Sequence, residues 1–119
     1  MAKHHSLTAW QESRALVLDV LSAGKKHWKP WASALFGQIL RSSLSVQLNI
    51  AEGWSFGPSP TCSRHLAIAY GSAVETADLI DLIIDSKIVP DELGARLKAH
   101  SDRSQALLVG LLKRRRPRT

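Results

Sequence analysis

The sequence contains little of several features that define common protein classes. Of its 119 residues one is a cysteine, Cys62, and seven are glycine. A single cysteine excludes an internal disulfide framework and is typical of a reducing compartment, so we expect a cytoplasmic protein. No apolar run approaches the roughly 20 residues that a membrane-spanning helix requires, which predicts no membrane partner. The polar start at residues 1–5 likewise predicts no signal peptide.

The sequence also lacks the common signatures of catalysis. It has no glycine-rich loop that could cradle phosphates, no nucleophile elbow and no Ser/His/Asp arrangement. The Glu-x-x-His pairs of a di-iron bundle are missing, and Cys62 and His65 have no second pair of zinc-ligand spacing. Cys62 lies near a helix start, which favours a lowered thiol pKa, but no base accompanies it. We therefore expect no enzyme activity, no bound metal and no cofactor.

Positive charge is concentrated at the end of the chain. The formal net charge is +6, and five of the last seven residues are basic, namely Lys113, Arg114, Arg115, Arg116 and Arg118. Residues 1–112 contain eleven basic and ten acidic residues and are nearly neutral. The length suits one domain. We therefore expect a single domain over residues 1–112 and a basic C-terminal tail over residues 113–119.

Apolar residues recur with the helical period four times, and no long alternating run predicts a strand. The spacing predicts helices over 6–23, 33–52, 59–86 and 90–112, with Gly24 and Gly53 ending the first two. Short connections favour an antiparallel up-down four-helix bundle. The first helix is expected to bury Leu7, Trp10, Val17, Leu18 and Leu21. On the fourth helix, His100 lies on the leucine seam and is expected to be a hydrogen-bonded core histidine.

Two helices have more apolar surface than one bundle core requires. Apolar residues spread over roughly 220° of the second helix. The third helix has a core stripe (Leu66, Tyr70, Ala73, Ala77, Ile80, Ile84) and a second stripe (Ile68, Ser72, Thr76, Leu79, Ile83). Because the chain has no fifth helix to cover the second stripe, we expect a homo-oligomer.

A polar stripe also runs along the second helix. At about 100° per residue, five side chains share an arc of roughly 80°; they are Gln38, Arg41, Ser45, Asn49 and Glu52. This polar ladder is either a hydrogen-bond network that fixes the helix register or a seam that contacts a ligand. On the third helix, the acidic row Glu75, Asp78, Asp81 and Asp85 is expected to be a solvated face.

Two basic segments are candidate nucleic-acid contacts. Residues 25–31 interleave cations with aromatic rings, which suits phosphate contact and base stacking. The candidates there are Lys25, Lys26, Trp28 and Lys29, and in the tail they are the five basic residues given above. The alternatives are a connection whose tryptophans cap the bundle and a solvated terminus that aids solubility.

Two stretches carry a family resemblance. Residues 38–53 (QILRSSLSVQLNIAEG) and 66–75 (LAIAYGSAVE) resemble the small four-helix bundle proteins encoded by intervening sequences of large-subunit ribosomal RNA genes. The Trp10-Gln11 opening of the first helix is similar as well. The resemblance implies a homopentameric barrel of five bundles and carries over the polar ladder as structural positions. It supplies no catalytic residue. Distant relatives, the accessory proteins of diversity-generating retroelements, are thought to bind nucleic acid.

The sequence departs from this family pattern after Gly53, where Trp54-Ser55-Phe56 replaces the usual polar and basic residues. Two hypotheses follow. The first is a non-enzymatic homo-oligomer that associates with RNA or a ribonucleoprotein through basic surface and tail. The second is a scaffold ring that binds a partner protein through residues 54–56.

Overall fold

The computed structural model describes residues 3–115, and within this range the fold is all-α. The helices are α1 (Thr8–His27), α2 (Ser33–Trp54), α3 (Pro60–Asp85) and α4 (Asp91–Arg114). Short 3-10 turns cover Lys3–Ser6 and Pro30–Ala32. The four predicted helices without strands are confirmed for the described residues.

The starts of α3 and α4 follow from local chemistry. The Ser59 hydroxyl accepts a hydrogen bond from the Cys62 backbone N–H at 3.1 Å, and Pro60 occupies the first helical position. Asp91 and Glu92 lie in the first turn of α4, where carboxylates interact favourably with the helix dipole. Both helix starts lie where the sequence predicted them.

The predicted limits of α1 are wrong at both ends. Ser6 belongs to the first 3-10 turn, and α1 begins after Leu7 without a side-chain cap. Gly24 does not stop the helix, which continues to His27. A Cβ at Gly24 would lie 3.8 Å from the Phe36 ring, an ordinary van der Waals distance, so the packing of α1 against α2 does not require a glycine here.

The four helices form an antiparallel ring in which each packs against the next and α4 packs against α1. Residues 3–115 contain two apolar clusters, stacked along the long axis of the bundle. One surrounds Leu16, Ile39, Ile80 and Leu97, and the other surrounds Ile50, Leu66, Ala69 and Leu108. The core therefore has two halves.

A layer of buried hydroxyls separates these halves. We call it the hydroxyl layer; its members are Ser13, Ser42, Ser43, Thr76, Ser101 and Ser104, drawn from all four helices. Ser13 and Ser104 join α1 to α4 through an Oγ–Oγ distance of 2.9 Å. Thr76 donates to Ser42 across α2 and α3 at 2.8 Å. Serine and threonine are small enough to let the helices approach closely while satisfying one another's hydrogen bonds.

The buried faces differ from the predicted ones on two helices. On α1, Leu18 and Leu21 are 48 % and 43 % exposed, and the core side is formed by Ala9, Ser13, Leu16, Val17, Val20 and Ala23. On α3, Thr76 and Ile83 of the supposed second stripe are buried in the chain's own core, whereas Tyr70 is exposed. Because α3 packs against both α2 and α4, a single chain covers a wide arc of this helix.

The closest approach of α2 to α3 predicts an asymmetry between two glycines. A Cβ at Gly53 would lie 2.7 Å from the His65 Cβ and 3.3 Å from the Cys62 carbonyl oxygen, whereas one at Gly110 meets nothing within 4 Å. We expect Gly53→Ala to lower the free energy of unfolding by about 1–3 kcal/mol through overpacking. Gly110→Ala should raise it by about 0.4–1 kcal/mol.

Urea unfolding followed by circular dichroism, at one protein concentration, measures both variants. Equal effects of the two substitutions would contradict the close packing of α2 against α3.

Candidate nucleic-acid interface

The antiparallel topology separates the two predicted basic segments. α1 carries Lys25 to one end of the bundle, which we call the Lys25 end and which also contains residues 28–32 and 86–90. α4 carries Arg115 to the opposite end, which we call the Arg115 end and which contains residues 3–6 and 55–59. The described chain is 48 Å long in its longest dimension. The two groups of candidate residues therefore do not form one continuous surface within a single chain.

At the Lys25 end, cations and aromatic rings are open to solvent. Lys25 and Lys26 lie in the last turn of α1, not in a loop as predicted, and basic residues there complement the helix dipole. Both lysines and Lys29 are exposed. Trp28 is 51 % exposed and Trp31 is 73 % exposed. An indole that exposed does not cap the bundle, so the interpretation of Trp31 as a cap is wrong.

Trp28 borders an apolar groove between the end of α1 and the start of α2. The groove has a volume of about 360 Å³, and its walls include Val20, Leu21, Gly24 and Phe36. One side of Trp28 is thereby supported by the bundle, which limits the conformations of its ring. A half-supported, half-exposed indole is a suitable stacking platform for an unpaired base.

At the Arg115 end, the predicted tail is partly helix. Lys113 and Arg114 form the last turn of α4 and are exposed. Arg115 follows directly, and its guanidinium carbon lies 3.4 Å from the centre of the Trp54 ring. Arg116 and Arg118 lie outside the described residues.

The polar ladder connects α2 to α3. The Gln38 amide donates to the Glu75 carboxylate, and Ser45 and Ser72 share a hydrogen bond of 2.8 Å. Asn49 donates to the Ser45 carbonyl at 2.9 Å, and its own carbonyl lies 3.0 Å from His65 Nδ1.

The polar contacts at the two ends of the ladder are longer than those in its middle. Arg41 donates to Gln38 at 3.3 Å, and Glu52 lies 3.6 Å from His65 Nε2. Each member therefore contacts either another member or α3, which is the arrangement expected of a network that fixes helix register.

The acidic row and the cysteine do not form a metal site. In residues 3–115, no three His, Cys, Asp or Glu side chains are grouped closely enough to hold an ion. Asp78, Asp81 and Asp85 are exposed, and Asp81 pairs with Lys98 at 3.1 Å. Cys62 is fully buried, and this burial raises the pKa of its thiol while the Arg115 charge partly offsets the rise. The pKa of Cys62 is therefore raised, whereas its position near a helix start predicted a lowered pKa.

His100 is the centre of a charged cluster that the sequence did not reveal. It lies at the boundary of α1 and α4 rather than in the core, with its side chain 26 % exposed. Nδ1 bonds the Glu12 carboxylate, and Nε2 lies 3.3 Å from Asp19. Arg96 and Arg103 flank the two carboxylates at 3.4 and 3.5 Å. Glu12 and Asp19 on α1 are far from His100 in the sequence. Within α4, the spacing of Arg96, His100 and Arg103 along one edge of the helix was the only pattern that could have indicated the cluster.

The ladder geometry predicts the effect of removing Asn49. Asn49→Ala leaves the His65 ring without its partner in a half-buried position, so we expect a loss of about 1–3 kcal/mol of unfolding free energy. RNA affinity should stay unchanged. Urea unfolding and a binding titration on the same variant measure the two quantities.

Gln47→Ala, on the same helix, is the matched control because its side chain has no hydrogen bond within the described residues. The ligand-seam interpretation would be correct instead if Asn49→Ala weakened RNA binding at unchanged stability.

Comparison with known proteins agrees with this fold. A crystal structure of a protein of unknown function from the S23 ribosomal protein family of Bacteroides thetaiotaomicron superposes with a TM-score of 0.80. The two sequences are 22 % identical, and the match covers 89 % of this chain and 99 % of that one. No curated protein matches the sequence. Among the described residues, no helix is both long and apolar enough to pass through a bilayer.

The family match extends over residues 5–110, which include α1, α2, α3 and nearly all of α4. It also includes both stretches on which the resemblance was based. The chain therefore belongs to the 23S rRNA-intervening sequence protein family.

Proposed function

We propose that this protein is a non-enzymatic homo-oligomer that associates with RNA, stacking bases on Trp28 and Trp31 and contacting phosphates with nearby lysines. The observation that carries the proposal is the combination at the Lys25 end of two exposed indoles with three exposed lysines. Aromatic faces and cations in alternation are how proteins bind single strands without strong sequence preference. The family's link to a 23S rRNA intervening sequence supports RNA as the polymer.

The Arg115 end supplies a second, weaker contact. Lys113 and Arg114 project from the last turn of α4 and add two exposed cations. No exposed indole accompanies them, because Trp54 is covered by Arg115. We therefore assign phosphate contact, but not base stacking, to this end.

Self-association is supported by apolar side chains that one chain leaves uncovered. On the outer faces of α2 and α3, the exposed large apolar residues are Leu48, Ile68, Tyr70, Val74 and Leu82. Gly71 lies among them with open space above it. On α3 these side chains alternate with the exposed carboxylates Glu75, Asp78 and Asp81, so a second copy of the chain would meet a mixed apolar and acidic surface. The family resemblance implies five copies. In a ring with rotational symmetry, the Lys25 ends of all copies would lie on the same side of the ring. This arrangement would raise the avidity for a long RNA strand.

The scaffold hypothesis has less support in the geometry. Trp54 is half-buried beneath Arg115 and is not the exposed aromatic that the sequence suggested. Phe56 is 53 % exposed, but its ring stacks on His65 at 5.7 Å. At residues 54–56 a partner protein would therefore contact one exposed aromatic ring, that of Phe56, which already stacks on His65.

Replacing the three lysines at the Lys25 end tests the RNA proposal. With Lys25, Lys26 and Lys29 all changed to Gln, the slope of log affinity against log salt for single-stranded RNA should become shallower by about 2, since each phosphate contact contributes about 0.7. Trp31→Ala should cost about 1–3 kcal/mol of binding energy if one base stacks there. Fluorescence anisotropy over a salt series measures both effects.

A charge-matched control changes Arg96, Lys98 and Arg103 to Gln, three cations of α4 that already face carboxylates. This control should retain most of the affinity. An equal loss in both triple variants would mean that net charge alone attracts RNA, and the Lys25 end would not be the interface.

Light scattering tests self-association. We expect a mass of at least twice 13.1 kDa at micromolar concentration, and Val74→Glu should dissociate the assembly by placing a further negative charge beside Glu75 and Asp78 in the contact. Ala99→Glu, at an exposed position of α4, is the control and should leave the mass unchanged. A wild-type mass near 13.1 kDa would contradict the oligomer.

A further inference from the structure

The Arg115 end contains a cavity that none of the functions above uses. Its volume is about 560 Å³, and the first 3-10 turn, the end of α2, the α2–α3 connection and the end of α4 all contribute to its wall. Lys3 and Arg115 are its two permanent cations, and no carboxylate is among its lining residues. The cavity is therefore electropositive and accessible from solvent.

Arg115 is held firmly in this wall. Its guanidinium lies flat enough on the Trp54 ring to place the central carbon 3.4 Å from the ring centre. Its backbone carbonyl accepts a hydrogen bond from the Ser63 hydroxyl at 3.1 Å, which ties the residue to α3. A side chain that is held both at its backbone and at its guanidinium loses little conformational entropy when it binds a ligand.

One nitrogen of this guanidinium lacks an acceptor. Arg115 Nη1 is buried, and within the described residues it has no hydrogen-bond partner. Buried donors are nearly always paired, and an unpaired charged donor is costly. The nitrogen lies on the Gly57 side of the cavity, where a Cβ on residue 57 would be 3.9 Å away.

The carbonyls at the adjoining end of α2 already accept backbone hydrogen bonds. The last carbonyls of α2, those of Glu52, Gly53 and Trp54, accept from the backbone N–H groups of Ser55, Phe56 and Gly57. Arg115 is therefore not the cap of α2, although its position next to this helix end would suit that role. The guanidinium therefore has a hydrogen-bond donor that the described residues do not use, and a small rotation of the side chain toward the cavity would present it to a ligand.

We propose that this cavity binds a phosphate ester, with Arg115 as the principal ligand and Lys3 as the second cation. A phosphate monoester carries up to two negative charges, which matches two cations, and its oxygens fit the planar fork of arginine. The cavity is larger than a bare phosphate ion and falls within the usual range of ligand pockets, so it has room for the organic group of the ester.

His4 completes the polar lining. Burial and the neighbouring His5 lower the pKa of His4, so its ring is neutral at pH 7 and offers one donor and one acceptor. A neutral ring of this kind suits the sugar hydroxyl or the bridging oxygen of an ester. The inference does not depend on the main RNA contact, which lies at the Lys25 end, and it uses neither Lys113 nor Arg114 of the weaker contact.

Isothermal titration calorimetry with the full chain tests the site. The probes are inorganic phosphate, a 5′-nucleoside monophosphate, the matching nucleoside, and a short RNA with either a 5′-phosphate or a 5′-hydroxyl. We expect the monophosphate to bind at least tenfold more tightly than the nucleoside. If instead the 5′-phosphorylated RNA alone shows this preference, the same phosphate chemistry is supplied by an RNA end, which also supports the proposal.

Variants locate the binding. Arg115→Gln should lower the affinity for the monophosphate at least tenfold. Arg115→Lys should lower it less, because lysine keeps the positive charge but lacks the bidentate guanidinium. Arg64→Gln, an exposed cation of α3 outside the cavity wall, should change the affinity less than threefold. Lys3→Gln provides a variant whose 3-10 turn buries no residue, so its expected weakening of binding cannot come from misfolding.

Three results would overturn the proposal. The first is equal binding of the nucleoside and the phosphorylated probes. The second is an unchanged affinity in both Arg115→Gln and Lys3→Gln. The third is that Arg115→Gln dissociates the oligomer in light scattering while the wild-type protein binds no phosphate probe, because Arg115 would then face a carboxylate of a second copy. The variants of the Lys25 end serve as a separate check, since they should leave phosphate binding intact.

Discussion

The hydroxyl layer at the middle of the bundle is the constraint on which the rest of the structure depends. Every helix contributes to it, and it divides the core into two apolar clusters. Ser13 pairs with Ser104, and Ser42 pairs with Thr76. Hydroxyl groups need partners with defined geometry, whereas apolar side chains tolerate sliding. A shift of one helix by a turn would break the bonds between helices and leave Ser13, Ser42 and Thr76 bonded only to carbonyls of their own helices, so the layer favours one register of the bundle.

That register determines which residues meet at the two ends. The α2–α3 contact is extended by the polar ladder and by the close approach at Gly53, so the end of α2 lies directly against the start of α3. α4 then delivers Arg115 onto Trp54, which forms one wall of the Arg115 cavity. At the opposite end the same register leaves Trp31 without a covering helix. One chain thus has a cationic cavity at one end and exposed aromatic rings at the other.

Sequence reasoning was accurate where local chemistry decides the outcome. The start of α3 followed from a serine cap and a proline, and the seam of α4 followed from its leucines, of which Leu97, Leu108 and Leu111 are buried. It failed on α1, where the buried face contains Ser13 and small alanines, residues that a hydrophobic pattern does not count. It failed at Gly24 and Gly53, which lie inside α1 and α2 rather than after them. At Gly53 the glycine serves the close approach of His65, which only the neighbouring helix reveals.

The sequence by itself determined that the chain is a four-helix protein with a polar ladder on α2 and with cations near residues 25–29 and 113–118. These properties depend on periodicity and composition, which are local. Only the tertiary structure decided that the two basic groups lie at opposite ends, that Trp54 is covered while Trp31 is exposed, and that burial raises the pKa of Cys62. Each of these depends on contacts between residues distant in sequence. The helix register determines which of these distant residues meet, and no single segment of the sequence encodes that register.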